Sequence, residues 1–123
     1  MITVEWDAEL ENTVVMRYAD PVRDWQEYHT ASDAANELIK SRNGKVHLIH
    51  LAGRTKMPPG NPFPHIRSAV RAIPSNCESV VMVLDNLMAQ RILELVMSKL
   101  FGRTIKFARS LNEAHTFLKS LAG

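Results

Sequence analysis

Two cations and one hydroxyl lie side by side in a proline-rich segment of this chain, at Arg54, Thr55 and Lys56. The segment runs from Leu51 to Pro64 and contains four prolines, which restrict its conformations. It joins an apolar, strand-like stretch to a helical pattern. Loops that leave the carboxyl ends of strands in α/β sheets commonly bind ligands or partners. The segment is therefore the first candidate for a functional surface.

The charge of this loop favours a protein partner with an acidic or phosphorylated group. The helix that follows has Asn61 as its candidate cap and His65 in its first turn. A helix N-terminus carries partial positive charge and free N–H groups, which suit an anion. Arg54 and Lys56 lie close by in the chain and would add to that attraction.

The five histidines do not form a metal-ligand pattern. His47 and His50 are three positions apart in a predicted strand, so they face opposite sides of the sheet. The chain contains neither a His-x-His nor a Glu-x-x-His pair. We therefore expect no metal and no cofactor. His50 lies near the carboxyl end of its strand, where a hydrogen-bonded core or rim histidine is a simpler interpretation than a catalytic one.

Signatures of the common nucleotide-binding and hydrolytic sites are missing. The chain has no Gly-x-Gly-x-x-Gly, Walker loop or Gly-x-Ser-x-Gly elbow. Asp85 and Asn86 follow a predicted strand, but capping of the next helix explains both residues. We expect a non-enzymatic protein. A small enzyme would require a pocket that gathers His50, Asp85 and Thr55.

Composition and charge are those of one small soluble domain. The chain has 123 residues, 46% of them hydrophobic, and no apolar run approaches the length of a membrane span. No signal-peptide pattern follows Met1, and the single Cys77 excludes an internal disulfide, so we expect a cytoplasmic protein. Residues 1–40 contain nine acids and three Lys or Arg, and the remainder four acids and twelve Lys or Arg. We expect these segments to neutralise each other, so a nucleic-acid partner is disfavoured.

Hydrophobic periodicity predicts the element order β-β-α-β-α-β-α-β-α. Strands are predicted at 2–7, 13–18, 46–51, 79–84 and 105–108, with helices at about 24–42, 62–73, 86–101 and 110–121. Strands separated by helices imply right-handed crossovers. The sequence thus predicts a mostly parallel five-stranded sheet with an antiparallel N-terminal hairpin strand and four helices.

The predicted helix over 86–101 has an apolar surface wider than one buried stripe requires. Leu93, Met97 and Leu100 share one flank of it. This flank is either an interaction surface, which would allow a homodimer, or is buried against neighbouring helices.

The chain resembles a known family over nearly its whole length. The residues that carry the resemblance are Ile2-Thr3-Val4, the aromatic helix start from Trp25 to Tyr28, the strand from Val80 to Leu84, and Phe107-Ala108-Arg109-Ser110-Leu111-Asn112-Glu113-Ala114. Together with the element order they look like the STAS fold of bacterial anti-sigma-factor antagonists, and more closely like the SpoIIAA-like proteins. The resemblance implies a single STAS-like domain over 1–123 that regulates through protein–protein interaction.

This chain departs from the family at the phosphorylation site. In phosphorylatable antagonists an Asp-Ser-(Ser/Thr)-Gly-type motif follows the strand that corresponds to 46–51, and a partner kinase phosphorylates its serine. Here the region reads Ala52-Gly53-Arg54-Thr55-Lys56, without Asp-Ser. Thr55 is the only hydroxyl in the loop and hence the candidate phosphoacceptor; an ordinary exposed threonine is the simpler interpretation.

The resemblance also leaves a second function open. Some STAS-related folds bind lipids or nucleotides, and the lipid-transfer CRAL-TRIO fold is a distant architectural relative. A small-molecule or lipid-binding module of this kind would require an apolar cleft between the last two helices and the sheet.

Overall fold

Five strands form a single sheet in chain order, with helices packed on both of its faces. The computed structural model describes residues 1–85, 90–91 and 104–122. The strands are β1 (Ile2–Trp6), β2 (Thr13–Tyr18), β3 (Val46–Gly53), β4 (Cys77–Leu84) and β5 (Thr104–Ala108). The helices are α1 (Trp25–Lys40), α2 (Phe63–Arg71) and α3 (Leu111–Ala122).

The sheet is mixed in the way that the element order predicts. β1 and β2 pair antiparallel, and β2 to β5 are parallel neighbours. The α/β class and the antiparallel N-terminal strand are confirmed. The third predicted helix, over 86–101, and its flank of Leu93, Met97 and Leu100 lie outside the described residues, apart from positions 90–91.

Two apolar clusters cover the two faces of the sheet. On one face, Val14 and Met16 of β2 pack with Ala35 and Ile39 of α1. On the other face, a second cluster joins strand residues to α3; its buried members are Val15, Ile49, Val81, Val83, Ala108, Ala114 and Leu118. Strands covered on both faces have near-continuous apolar sequences, and this accounts for the apolar run from Val80 to Leu84 in β4.

Local capping signals determine where the helices begin. Asp24 Oδ1 accepts a hydrogen bond from the N–H of Glu27 at 2.9 Å, and Ser110 Oγ accepts one from Glu113 at 3.1 Å, as predicted. α2 begins one residue later than its predicted cap implies. Pro62 occupies the N-cap position, and Asn61 Oδ1 accepts from the N–H of Phe63 at 3.1 Å.

A buried polar pair fixes α3 against the β1–β2 turn. His115 Nε2 lies 2.6 Å from Asp7 Oδ2, and the two side chains are 6% and 3% exposed. Asp7 Oδ1 also accepts from the N–H groups of Glu9 and Leu10 at 2.7 and 3.1 Å. Burial alone would raise the pKa of Asp7. The hydrogen bonds from Glu9 and Leu10 and the interaction with His115 lower it by more, so the pKa of Asp7 lies below its ordinary value.

We expect Asp7→Asn to lower the free energy of unfolding by about 2 kcal/mol, because it removes the charged acceptor from a buried pair. Since the pKa of Asp7 is lowered by folding, its contribution is present above pH 3.8 and is lost as the pH falls below that value. Urea unfolding at pH 7 and pH 3 measures both effects.

Glu9→Gln is the matched control. Glu9 Oε2 lies 3.1 Å from His115 Nδ1, but its side chain is 67% exposed. An exposed carboxylate contributes little, so this variant should lose less than about 0.5 kcal/mol. Equal losses from the two variants would contradict the assignment of the pair to Asp7.

Candidate functional site

An apolar cavity of about 110 Å³ lies between the sheet and helices α1 and α2. Alternate residues of three strands form its floor: Met16, Tyr18, Leu48, His50, Val80 and Met82. Small side chains account for the empty space, because Ala35 of α1, Ala69 of α2 and Ala52 of β3 line the cavity where larger residues would fill it. This is not the cleft between the last two helices and the sheet that a lipid-binding module of the resembled family would require, and the helix predicted over 86–101 that would border such a cleft lies outside the described residues, apart from positions 90–91.

A hydrogen-bonded pair lies in the floor of this cavity. Tyr18 Oη and His50 Nδ1 are 2.8 Å apart. His50 is only 9% exposed, and burial lowers its pKa to about 4. Burial also raises the pKa of Tyr18 well above its ordinary value, with a smaller contribution from nearby Tyr28. Both members of the pair are therefore uncharged at neutral pH.

Two further hydroxyls of α1 line the cavity. Burial raises the pKa of Tyr28 to about 12, although the nearby Ser32 hydroxyl lowers it slightly. Ser32 is 8% exposed. Its Oγ is close enough to influence Tyr28 but forms no hydrogen bond of good geometry. The polar groups of the cavity thus form a neutral cluster of Tyr18, Tyr28, Ser32 and His50.

The proline-rich loop covers one side of the cavity. Ala52, Met57 and Pro62 contribute to the lining. The indole N–H of Trp25 donates to the carbonyl of Pro59 at 3.1 Å, which ties the loop to the start of α1. The segment singled out by its charge is therefore also a wall of the cavity.

The loop is also bonded to the last residue of β2 and to the segment that follows it. Thr55 Oγ1 donates to the carbonyl of Tyr18 at 3.1 Å, and the N–H of Lys56 donates to Asp20 Oδ1 at 3.1 Å. The half-buried Thr55 hydroxyl would have to leave Tyr18 before it could accept a phosphoryl group.

The structure separates the cations of the loop from the polar start of α2. The Arg54 side chain is 89% exposed and its Nε lies 3.3 Å from Asp85 Oδ2. His65 stacks on Trp25, with ring centroids 4.4 Å apart, and its Nδ1 is 2.9 Å from Nε2 of His29. The cations thus face solvent, whereas His65 joins α2 to α1.

The three residues required for a small enzyme bind different groups. His50 contacts the Tyr18 hydroxyl, Thr55 the Tyr18 carbonyl, and Asp85 the guanidinium of Arg54. His50 is the hydrogen-bonded core histidine that the simpler interpretation predicted.

Tyr18, Tyr28 and Ser32 were not among the site residues predicted from the sequence. Tyr18 and His50 are polar aromatics near the carboxyl ends of two parallel strands, and this pattern could have paired them once the strands were known to be neighbours. The register, in which Met16 lies opposite His50, could not be read from the sequence.

Neither a metal centre nor a membrane span is found in the described ranges. Within residues 1–85, 90–91 and 104–122, no three His, Cys, Asp or Glu side chains are placed to hold a metal ion. In the same part of the chain, no helix has the length and apolarity needed to cross a bilayer.

We expect the stability of the protein to fall as the pH drops from 7 to 5, because unfolding lets His50 take up a proton that its buried site resists. Its contribution is fully present above pH 6.5 and is lost towards pH 4. Between pH 7 and pH 5 we expect the free energy of unfolding to fall by about 2 kcal/mol for this reason. Urea unfolding of the wild type and of His50→Gln at both pH values measures it.

His47→Gln is the control for this prediction. Partial burial lowers the pKa of His47 as well, but its half-buried ring should account for less of the pH dependence. Identical pH dependence in the wild type and in His50→Gln would show that His50 is not the group responsible.

Comparisons with models of protein families, with curated proteins and with solved structures find no match to this chain.

Proposed function

We propose that this protein is a non-enzymatic, STAS-like module that binds a small apolar molecule in the cavity between the sheet, α1 and α2. The observation that carries the proposal is an apolar void of about 110 Å³ with buried neutral polar groups in its wall. The cavity is partly open to solvent. A ligand that filled it would remove its apolar wall from water, which is favourable.

The chemistry of the cavity favours binding over catalysis. His50 is bonded to a phenol rather than to a carboxylate, and no Asp, Glu, Lys or Arg lines the cavity among the described residues. A general base needs a pKa near the working pH, whereas the pKa of His50 is about 4. These groups are suited to orienting a ligand.

A second candidate function is regulatory binding of a protein through the loop. The side chains of Arg54 and Lys56 are exposed, and the same loop forms a wall of the cavity. Its partner would present an acidic or phosphorylated group, as the charge of the loop suggests. The two functions are compatible, because a ligand in the cavity would contact the inner side of the loop.

We expect Ala69→Leu to reduce ligand binding at least tenfold, because the larger side chain would occupy the cavity. Toluene, titrated into labelled protein and followed by amide chemical shifts, is a suitable probe. Ala72→Leu is the matched control, since Ala72 is the C-cap residue of the same helix but is exposed. Equal toluene affinity in the two variants, or no binding to the wild type, would contradict the proposed site.

A partner protein is first captured from native lysate with the intact protein. We expect Arg54→Glu/Lys56→Glu to lower the affinity for this partner at least tenfold, because the change reverses both loop charges. The control is Arg109→Glu/Lys119→Glu, which changes net charge equally at exposed positions outside the loop. Affinity by surface plasmon resonance distinguishes them. Equal weakening by both doubles would indicate general electrostatics, and unchanged affinity would exclude the loop.

A further inference from the structure

We infer that two copies of this chain join through β1, which pairs antiparallel with its own copy and so extends the sheet across a two-fold axis. Strand β1 is an edge of the sheet, because among the described elements it pairs with β2 alone. An edge strand presents unpaired N–H and C=O groups, which a further strand can bind. The inference does not depend on the proposed ligand cavity.

The free backbone groups of β1 can be assigned from the hydrogen bonds at its two ends. The N–H of Asp7 donates to the carbonyl of Thr13 at 2.7 Å. The N–H of Ala19 donates to the carbonyl of Met1 at 2.7 Å. Every second residue of an antiparallel strand bonds its neighbour, so the odd-numbered residues bond β2 and the even-numbered ones direct N–H and C=O outward. These outward residues are Ile2, Val4 and Trp6.

An apolar strip that is half exposed runs along the same edge. The side chains of the three outward residues pack against the cluster under α1, yet each stays partly exposed. The side of α1 above this edge is marked by Glu27, whose Oε1 lies 3.0 Å from the amino nitrogen of Met1. Exposed Ala34 and half-buried Leu38 follow on that side at helical spacing. A second copy would remove this strip from water, which is favourable.

Strand β1 lacks the features that commonly keep an edge strand from pairing. Natural edges often carry a lysine, a proline or a bulge. At the other end of the strand order, β5 has the exposed Lys106 at its centre. By contrast, β1 contains no Lys, Arg or Pro, and its register with β2 is continuous. Its one charged side chain, Glu5, lies 2.8 Å from Arg17 Nε, so the edge carries little net charge.

One register makes β1 complementary to itself. With the two-fold axis at Val4, that residue lies opposite its own copy and Ile2 lies opposite Trp6, so that all the outward N–H and C=O groups bond each other. On the other face, Thr3 then lies opposite Glu5. An axis at Glu5 would set two carboxylates opposite each other, which is unfavourable, and an axis at Thr3 would leave Trp6 unpaired. A second copy in the register centred on Val4 therefore fits this edge, and its two-fold symmetry closes the assembly.

Sedimentation equilibrium of the full chain tests the inference, and we expect a dimer with a dissociation constant below about 1 mM. Val4→Pro removes an outward N–H that β2 does not use, and it should weaken the dimer at least tenfold, because one hydrogen bond is lost in each copy. Val4→Thr is the matched control. It keeps the N–H and the branched side chain, so its dissociation constant should stay within about threefold of the wild type.

A charge exchange tests the register without changing the backbone. We expect Thr3→Glu to weaken the dimer at least threefold, because it sets like charges opposite each other on both sides of the axis. The double variant Thr3→Glu/Glu5→Lys should bind at least as tightly as the wild type, since opposite charges then face each other. Both positions are exposed, so the folded monomer should tolerate these changes, and they test the inference even where Val4→Pro fails to fold.

Three results would overturn the inference. A wild type that stays monomeric up to about 1 mM would leave the edge to a strand of another protein. A dimer that neither Val4→Pro nor Thr3→Glu weakens would place the interface elsewhere, as on the flank of Leu93, Met97 and Leu100. Weakening by Thr3→Glu that Glu5→Lys does not reverse would exclude the register centred on Val4.

Discussion

The hydrogen bond between Tyr18 and His50 is the interaction on which the face of the sheet that forms the cavity depends. The buried ring of His50 and the half-buried ring of Tyr18 lie side by side on parallel strands, and their polar groups would be costly there without each other. Because burial keeps both uncharged, the space above them is polar at one point but carries no charge. The backbone carbonyl of Tyr18 also accepts a hydrogen bond from the Thr55 hydroxyl. One residue thus connects the sheet, the cavity and the loop.

The two faces of the sheet serve different purposes. On the α3 face, the apolar cluster is completed by the Asp7–His115 pair, which ties the last helix to the first turn. On the α1 and α2 face, alanines leave a void that the core does not fill.

Sequence reasoning was most successful where the signal is local. Hydrophobic periodicity predicts the two initial strands and the parallel strands that follow. The caps Asp24 and Ser110 are predictable because their side chains accept hydrogen bonds from backbone N–H groups three residues later. The cavity could not be found in this way, because it depends on alanines of α1 and α2 that meet only in three dimensions. For the proline-rich loop, the sequence shows the charge of the side chains. It does not show the contact with Trp25, because that contact joins positions 34 residues apart.

A crystal structure of the protein soaked in toluene would show whether the cavity takes an apolar ring. We expect one toluene ring between the sheet, α1 and α2, in contact with Ala69. A cavity closed by its own side chains, or toluene bound only on the outer surface, would rule out the proposed site.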